Sequence, residues 1–177
     1  GCATLILLDE AVMYCRTAVN HNRNRLGTLK DFFQGYKQLA KTEDEVIERI
    51  SFSKPTANTR VNWEKVSKRA ILDIATVNSA ARFEVEENRI LEGHLALGGV
   101  AAIPLYLKEA SAALVGKEVT PDLVHAVVEL AQSEFDPISD VRGSADYKRL
   151  LARQLLLAHF LKCFPEVISE EVIYAAL

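Results

Sequence analysis

The stretch TVNSAARFEV, residues 76 to 85, constrains the fold more than any other part of the chain. Val77, Ser79, Ala81, Phe83 and Val85 fall on one side of an extended backbone. Thr76, Asn78, Ala80, Arg82 and Glu84 fall on the other, which is the period of two that a half-buried strand requires. EEN (residues 86 to 88) turns the chain, and RILEGHLALGG returns with Leu91, Leu95 and Leu97 on one face. So short a connection joins antiparallel neighbours, and an antiparallel meander is expected. Upstream, RVNWEKVSK sets Val61, Trp63 and Lys65 on one face and Asn62, Glu64 and Val66 on the other. Before it, VIERISF places Val46, Ile50 and Phe52 on one side, broken only by Glu48, and KPTANTR supplies a loop.

The rest of the chain reads as helix. Pro104 suits the first turn of a helix through LYLKEASAALV, which Gly116 stops. Thr120 and Pro121 open a second as N-cap and first position, with Leu123, Val124, Val127 and Leu130 at helical spacing. Ser144 caps a third, which runs through YKRLLARQLLLAHFLKCF to Pro165. Tyr147, Leu151, Leu155 and His159 share a stripe there, and Leu150, Leu157 and Leu161 widen it enough for deep burial. Strands followed by helices, without β-α alternation, give an α+β class: a small antiparallel β-sheet with about three helices packed on one face. In the first 40 residues, LILLDEAVMYCRTAV reads as strand and HNRNRLG as a polar hairpin tip ahead of TLKDFFQGY.

Composition excludes several functions. The chain has 177 residues, 49% apolar and 25% charged, so it can bury a core. A net charge of −3 does not suit coating nucleic acid or anionic lipid, and no stacking aromatics interleave with Arg23 and Arg25. No apolar run approaches the roughly 18 residues of a membrane span. The opening GCATLILLDEAVMYC is interrupted by acids and does not read as a signal peptide. Cys2, Cys15 and Cys163 show no CxxC spacing, which points to a reducing, cytoplasmic setting. His21, His94, His125 and His159 are scattered, so no metal site is expected. There is no GxSxG, P-loop or GxGxxG, and Gly98-Gly99 reads as the bend into the first helix. No catalytic constellation stands out.

One loop is unusual. Lys65, Lys68, Arg69 and Asp73 gather at a strand-to-strand connection beside apolar residues. Cations so placed stabilise an anion that forms next to them, which suits a phosphorylated or electron-rich ligand. From the residues alone a solubilising turn is the favoured reading, and a ligand-facing loop is the alternative.

Five segments occur in order: DFFQGYKQ, EDEVIERI, KVSKRAILDIATVNSAARF, GGVAAIPL and SDVRGSADYKRLLARQLLLAHF. Together, over residues 28 to 163, they resemble the C-terminal part of the FAD-binding subunit of the molybdenum hydroxylases, the family of xanthine dehydrogenases and carbon monoxide dehydrogenase. The resemblance implies that residues 1–40 are the terminal strands of a preceding FAD-binding lobe, truncated, and that 41–177 form the flavoprotein C-terminal α+β domain. It implies FAD in the intact subunit, with the molybdenum cofactor and 2Fe–2S clusters on partner subunits or domains. Electrons would pass from those clusters to FAD and on to NAD or another acceptor. By position, Ile47 matches an apolar residue against the flavin ring, and Lys65 a lysine beside it. Residues 66 to 76, with Lys68, Arg69 and Asp73, match a flexible loop that governs access by the acceptor. Tyr36 falls near the nicotinamide approach, with Lys37 where relatives carry Arg. Leu39-Ala40 also departs from the pattern after Tyr36, and Ala70 and Leu72 make the loop less polar. Nothing matches the glycine-containing segment that holds the FAD pyrophosphate, so weak FAD binding by this chain alone is expected. A non-catalytic interaction domain of the same fold is the alternative reading.

Overall fold

The computed structural model describes residues 12–17, 25–28, 32–52, 54–70 and 72–175. The expected strand before Val12, most of the HNRNRLG tip, Cys2 and His21 lie outside the described residues.

Nine strands are formed among the described residues: β1 (Val12–Thr17), β2 (Arg25–Thr28), β3 (Phe33–Gly35), β4 (Gln38–Leu39), β5 (Glu45–Ser51), β6 (Thr59–Val66), β7 (Val77–Glu86), β8 (Arg89–Gly98) and β9 (Leu105–Tyr106). Four helices follow: α1 (Lys108–Leu114), α2 (Pro121–Gln132), α3 (Ala145–Cys163) and α4 (Glu170–Ala175). The central element is a four-stranded antiparallel sheet in the order β6-β7-β8-β9. Helix α3 packs on β6 and β7, α1 packs on β8, and α2 packs on both helices. The α+β class and its antiparallel meander stand as expected. A second antiparallel sheet has the order β2-β1-β5, and β3 pairs with β4.

The alternation in β7 does what its period dictates. Val77, Ser79, Ala81, Phe83 and Val85 all face the helices and are buried. Phe83 meets the rings of Phe160 and Phe164 at 5.3 and 5.1 Å between centroids, close enough for edge and tilted contacts to add to burial. Leu95, Leu97, Leu114, Val127 and Leu156 complete this core.

The register of β8 departs from the reading of Leu91. A bulge between Glu84 and Val85 pairs Val85 with Ile90, so Ile90 turns inward and Leu91 is exposed. One extra residue in a ladder reverses which face each later side chain takes. VIERISF also departs: Val46 and Phe52, read as one packed face, are both exposed.

Both capped helix starts are as the sequence reads. Thr120 Oγ1 accepts from Leu123 N at 3.2 Å, with Pro121 next, and Ser144 Oγ accepts from Tyr147 N at 3.2 Å. Helix α1 begins later than Pro104. Leu105 and Tyr106 are taken by β8, pairing with Leu97 and Ala96. The first N–H groups of α1 are then satisfied from a distance: Glu134 accepts from Glu109 N at 3.0 Å and from Ala110 N at 2.8 Å. On α3, Leu155, Leu157 and His159 are buried as read, but Tyr147 and Leu150 are exposed, and Lys148, Ala152, Leu156, Phe160 and Cys163 join the buried face. Lys148 goes in because its ammonium meets Asp140 Oδ2 at 2.9 Å and donates to Ile138 O at 2.9 Å.

Candidate functional site

The connection between β6 and β7 is a loop built around one carboxylate. Asp73 accepts from Arg69 N at 2.8 Å and from Ile74 N at 3.0 Å, and the Arg69 guanidinium stands 3.5 Å from Asp73 Oδ1. The Asp73 carboxyl is held below the usual carboxylate range, first by the Arg69 backbone N–H and then by the Arg69 charge. Thr76 N donates to Val66 O at 2.8 Å and closes the base. At the apex Leu72 takes a left-handed conformation with φ +52, and Arg69 Nη2 donates to its carbonyl at 3.0 Å. An L-residue with a branched side chain adopts that conformation only when its surroundings impose it.

The cations serve the loop as well as what lies outside it. Lys65 Nζ donates to Asp73 O at 2.6 Å, and Lys68 Nζ reaches across to Val141 O at 2.7 Å. Thr76 Oγ1 donates to Arg142 O at 3.2 Å. The loop is thereby tied to the turn that precedes α3. There Asp140 Oδ2 meets Arg142 Nη2 at 2.7 Å and Lys148 Nζ at 2.9 Å, and Lys148 and then Arg142 drive its carboxyl far below the usual range. Around the tied loop, large apolar side chains point to solvent: Trp63 is 58% exposed, Ile74 74% and Leu72 92%. Cations and exposed apolar surface thus share one end of the sheet.

The residues singled out by sequence are brought together in part. Lys65, Lys68, Arg69 and Asp73 form this one loop. Tyr36 is 71% exposed, with the Lys37 ammonium 5.4 Å from its ring centroid, and lines a cleft of about 610 Å³ beside the loop. Ile47 is on β5, 38% exposed, and lines neither that cleft nor the hollow under the loop. Sequence reasoning missed Asn78, Asp140 and Lys148, which line the cleft with the Gly98–Pro104 bend. Gly99 turns that bend with φ +87, and a Cβ there would stand 2.3 Å from Thr76 O, so this position requires glycine. The Gly98-Gly99 pair was the available signal.

His159 is a packed residue. Its Nδ1 lies 2.9 Å from Asn62 Nδ2 and its Nε2 lies 2.8 Å from Ser79 Oγ, which together leave Nδ1 accepting and Nε2 donating. Among the described residues no group of three or more His, Cys, Asp or Glu side chains could hold a metal ion. No helix among them is long and apolar enough to cross a membrane.

Comparison with known proteins bears on this geometry. The family model described as the CO dehydrogenase flavoprotein C-terminal domain matches residues 64–163, which includes the loop, the bend and α3. The carbon monoxide dehydrogenase medium chain of Afipia carboxidovorans is 30% identical over 132 residues, covering 75% of this chain and 46% of its own. A xanthine dehydrogenase of Emericella nidulans is 30% identical over 148 residues, covering 80% of this chain and 10% of its own. The solved carbon monoxide dehydrogenase of Hydrogenophaga pseudoflava, in a form lacking the Mo-pyranopterin moiety of its cofactor, superposes with a TM-score of 0.84. It is 27% identical and covers 94% of this chain and 56% of that one. The chain thus spans about half the length, or less, of the relatives it matches.

Proposed function

The chain belongs to the CO dehydrogenase flavoprotein C-terminal domain family, and from that premise we propose that it is the part of an FAD-containing subunit that covers the flavin ring. Residues 41–177 supply the covering domain and residues 1–40 the end of the FAD-binding lobe. Backbone pairing of β1 with β5 runs across that division. The partners on this reading are a molybdenum-binding subunit and an iron–sulfur subunit or domain, in the cytoplasm. FAD, when bound, supplies the electron relay between the iron–sulfur clusters and NAD or another acceptor.

The observation that carries the reading is the tied loop with its mixed surface. A flavin ring is flat and apolar across its faces and electron-rich at one edge. Exposed Trp63, Leu72 and Ile74 next to the Lys65 ammonium fit such a ring. Ile47 would add apolar contact from β5. Lys65, Lys68 and Arg69 raise the local positive potential, and Asp73 fixes where that charge stands. Tyr36 and Lys37 stand beside the cleft through which an acceptor would approach. The described residues fit the ring end of the cofactor.

Lys65→Ala in the assembled subunit tests this. Loss of one exposed charge near the ring is worth about 1 kcal/mol, so the flavin midpoint potential should fall by roughly 20 mV for a two-electron couple. The acceptor half-reaction should slow with it. An unchanged potential and an unchanged half-reaction would remove the loop from the flavin.

A further inference from the structure

Strand β6 forms one edge of the four-stranded sheet, and among the described residues no strand lies beyond it. Its 8 residues pair with β7 in an unbroken register, from Thr59 with Glu84 to Val66 with Val77. Val85 N donates to Asn58 O at 3.0 Å at one end, and Thr76 N donates to Val66 O at 2.8 Å at the other. The even-numbered residues of β6 therefore turn their backbone groups toward β7, and the alternate residues turn theirs away. Those of Val61, Trp63 and Lys65 point to the open edge, while Thr59 N is held by Thr56 O at 3.3 Å. Native sheets blunt such an edge with a proline, a bulge, a short strand or a lysine. β6 has no proline or bulge, and its Lys65 ammonium is drawn aside to Asp73 O. Two of its edge residues, Val61 and Trp63, carry exposed apolar side chains.

The strand is complementary to itself. An antiparallel copy turned about a two-fold axis through Asn62 sets Val61 against Trp63, and Thr59 against Lys65, on the outer face. A β-branched residue opposite an aromatic one is a favourable cross-strand pair. On the helix face the same register sets Arg60 against Glu64, which are unlike charges. These fall at the positions between the hydrogen-bonded pairs, where opposed side chains come closest. Sliding the copy to the next register either way opposes Arg60 to Asn62 or to Val66 and loses that match. Arg60 is also paired with Glu166, and Glu64 with Lys162, so the contact gives each ion a second unlike neighbour.

We propose that the open edge of β6 is a self-association site, through which two copies of this chain join their four-stranded sheets into one continuous antiparallel sheet. The same surface serves both copies, so the contact closes at a dimer. The far edge of the sheet is β9, only 2 residues long, and offers no comparable template. Pairing in the plane of the sheet draws nothing from the β6–β7 loop or from a cofactor, so the proposal stands apart from the flavin reading.

Sedimentation equilibrium of the protein, from micromolar to millimolar concentration, should show a reversible equilibrium between monomer and dimer. Val61→Pro removes an edge-facing N–H from each copy and leaves the ladder with β7 intact. It should raise the dissociation constant about a hundredfold, roughly tenfold for each hydrogen bond lost. Two double variants serve where proline disturbs the strand itself. Val61→Lys with Trp63→Lys, and Val61→Glu with Trp63→Glu, each set like charges opposite one another. Each should be monomeric with an unchanged circular dichroism spectrum. Mixed in equal amounts, the two should form a dimer of one copy each, because every lysine then faces a glutamate. A protein that stays monomeric at millimolar concentration overturns the proposal. So does a dimer that the proline or the lysine pair leaves intact, or a mixture of the two double variants that does not associate.

Discussion

Protonating His159 should destabilise this protein from the inside. The imidazole is fully buried between α3 and the sheet, and that burial pushes its pKa down from 6.5 to about 4. The negative charge of Glu64 opposes the change and the positive charge of Lys162 assists it. The hydrogen bonds explain why the neutral ring is wanted: Nδ1 accepts from Asn62, and a proton there would displace that donor. Because the folded pKa is the lower one, the unfolded chain binds the extra proton first. The stability due to neutral His159 is therefore complete above about pH 6.5 and is lost as pH falls toward 4. A tenfold change in proton affinity corresponds to about 1.4 kcal/mol, so the whole loss is about 3 kcal/mol. Urea unfolding of the protein and of His159→Gln, from neutral pH down to pH about 4.5, isolates the effect, since the carboxylates common to both cancel in the difference. The stability of the protein relative to the variant should decline steadily over that interval. A difference that does not change with pH would show that the imidazole is solvated or already charged, and the reasoning would be wrong.

Asp140→Ala should cost about 3 kcal/mol, because it leaves the buried Lys148 ammonium with only the Ile138 carbonyl, and Lys148→Met in the same background should recover part of it in urea unfolding. Glu134→Ala should cost about 1 kcal/mol and speed amide exchange at Glu109 and Ala110 by roughly tenfold, with little change in α2. Ser144→Ala should lower stability by about 1 kcal/mol, checked by thermal melting, and on the proposed function should leave electron transfer unaltered.

What the sequence made legible were features whose cause is local. The β7 alternation, the Thr120-Pro121 start and the Ser144 cap each depend on residues a few positions apart. The start of α1 was hidden because its cap, Glu134, comes from 25 residues further on. Leu91 was misplaced by a bulge that no composition signal marks. The loop was visible as a basic cluster, but its cations looked free to face a ligand. Lys65 and Lys68 in fact also donate to backbone carbonyls, one of them 73 residues away. The cleft was the least legible part, since Tyr36, Asn78, Gly99 and Asp140 meet only once the sheet and α3 are assembled.

The attachment of the loop to the turn before α3 has a bearing on how such proteins diverge. Lys68 and Thr76 grip the carbonyl oxygens of Val141 and Arg142 and ignore their side chains. The Val141 side chain itself is 90% exposed. An anchor made of main-chain oxygen is indifferent to the residue that carries it, so position 141 can drift through almost any amino acid while the mooring holds. Lys68 and Thr76, at the other end, have no such freedom. Constraint would therefore register on only one shore of the contact, and a tally of variation among descendants would pass over the residue on which the loop is moored.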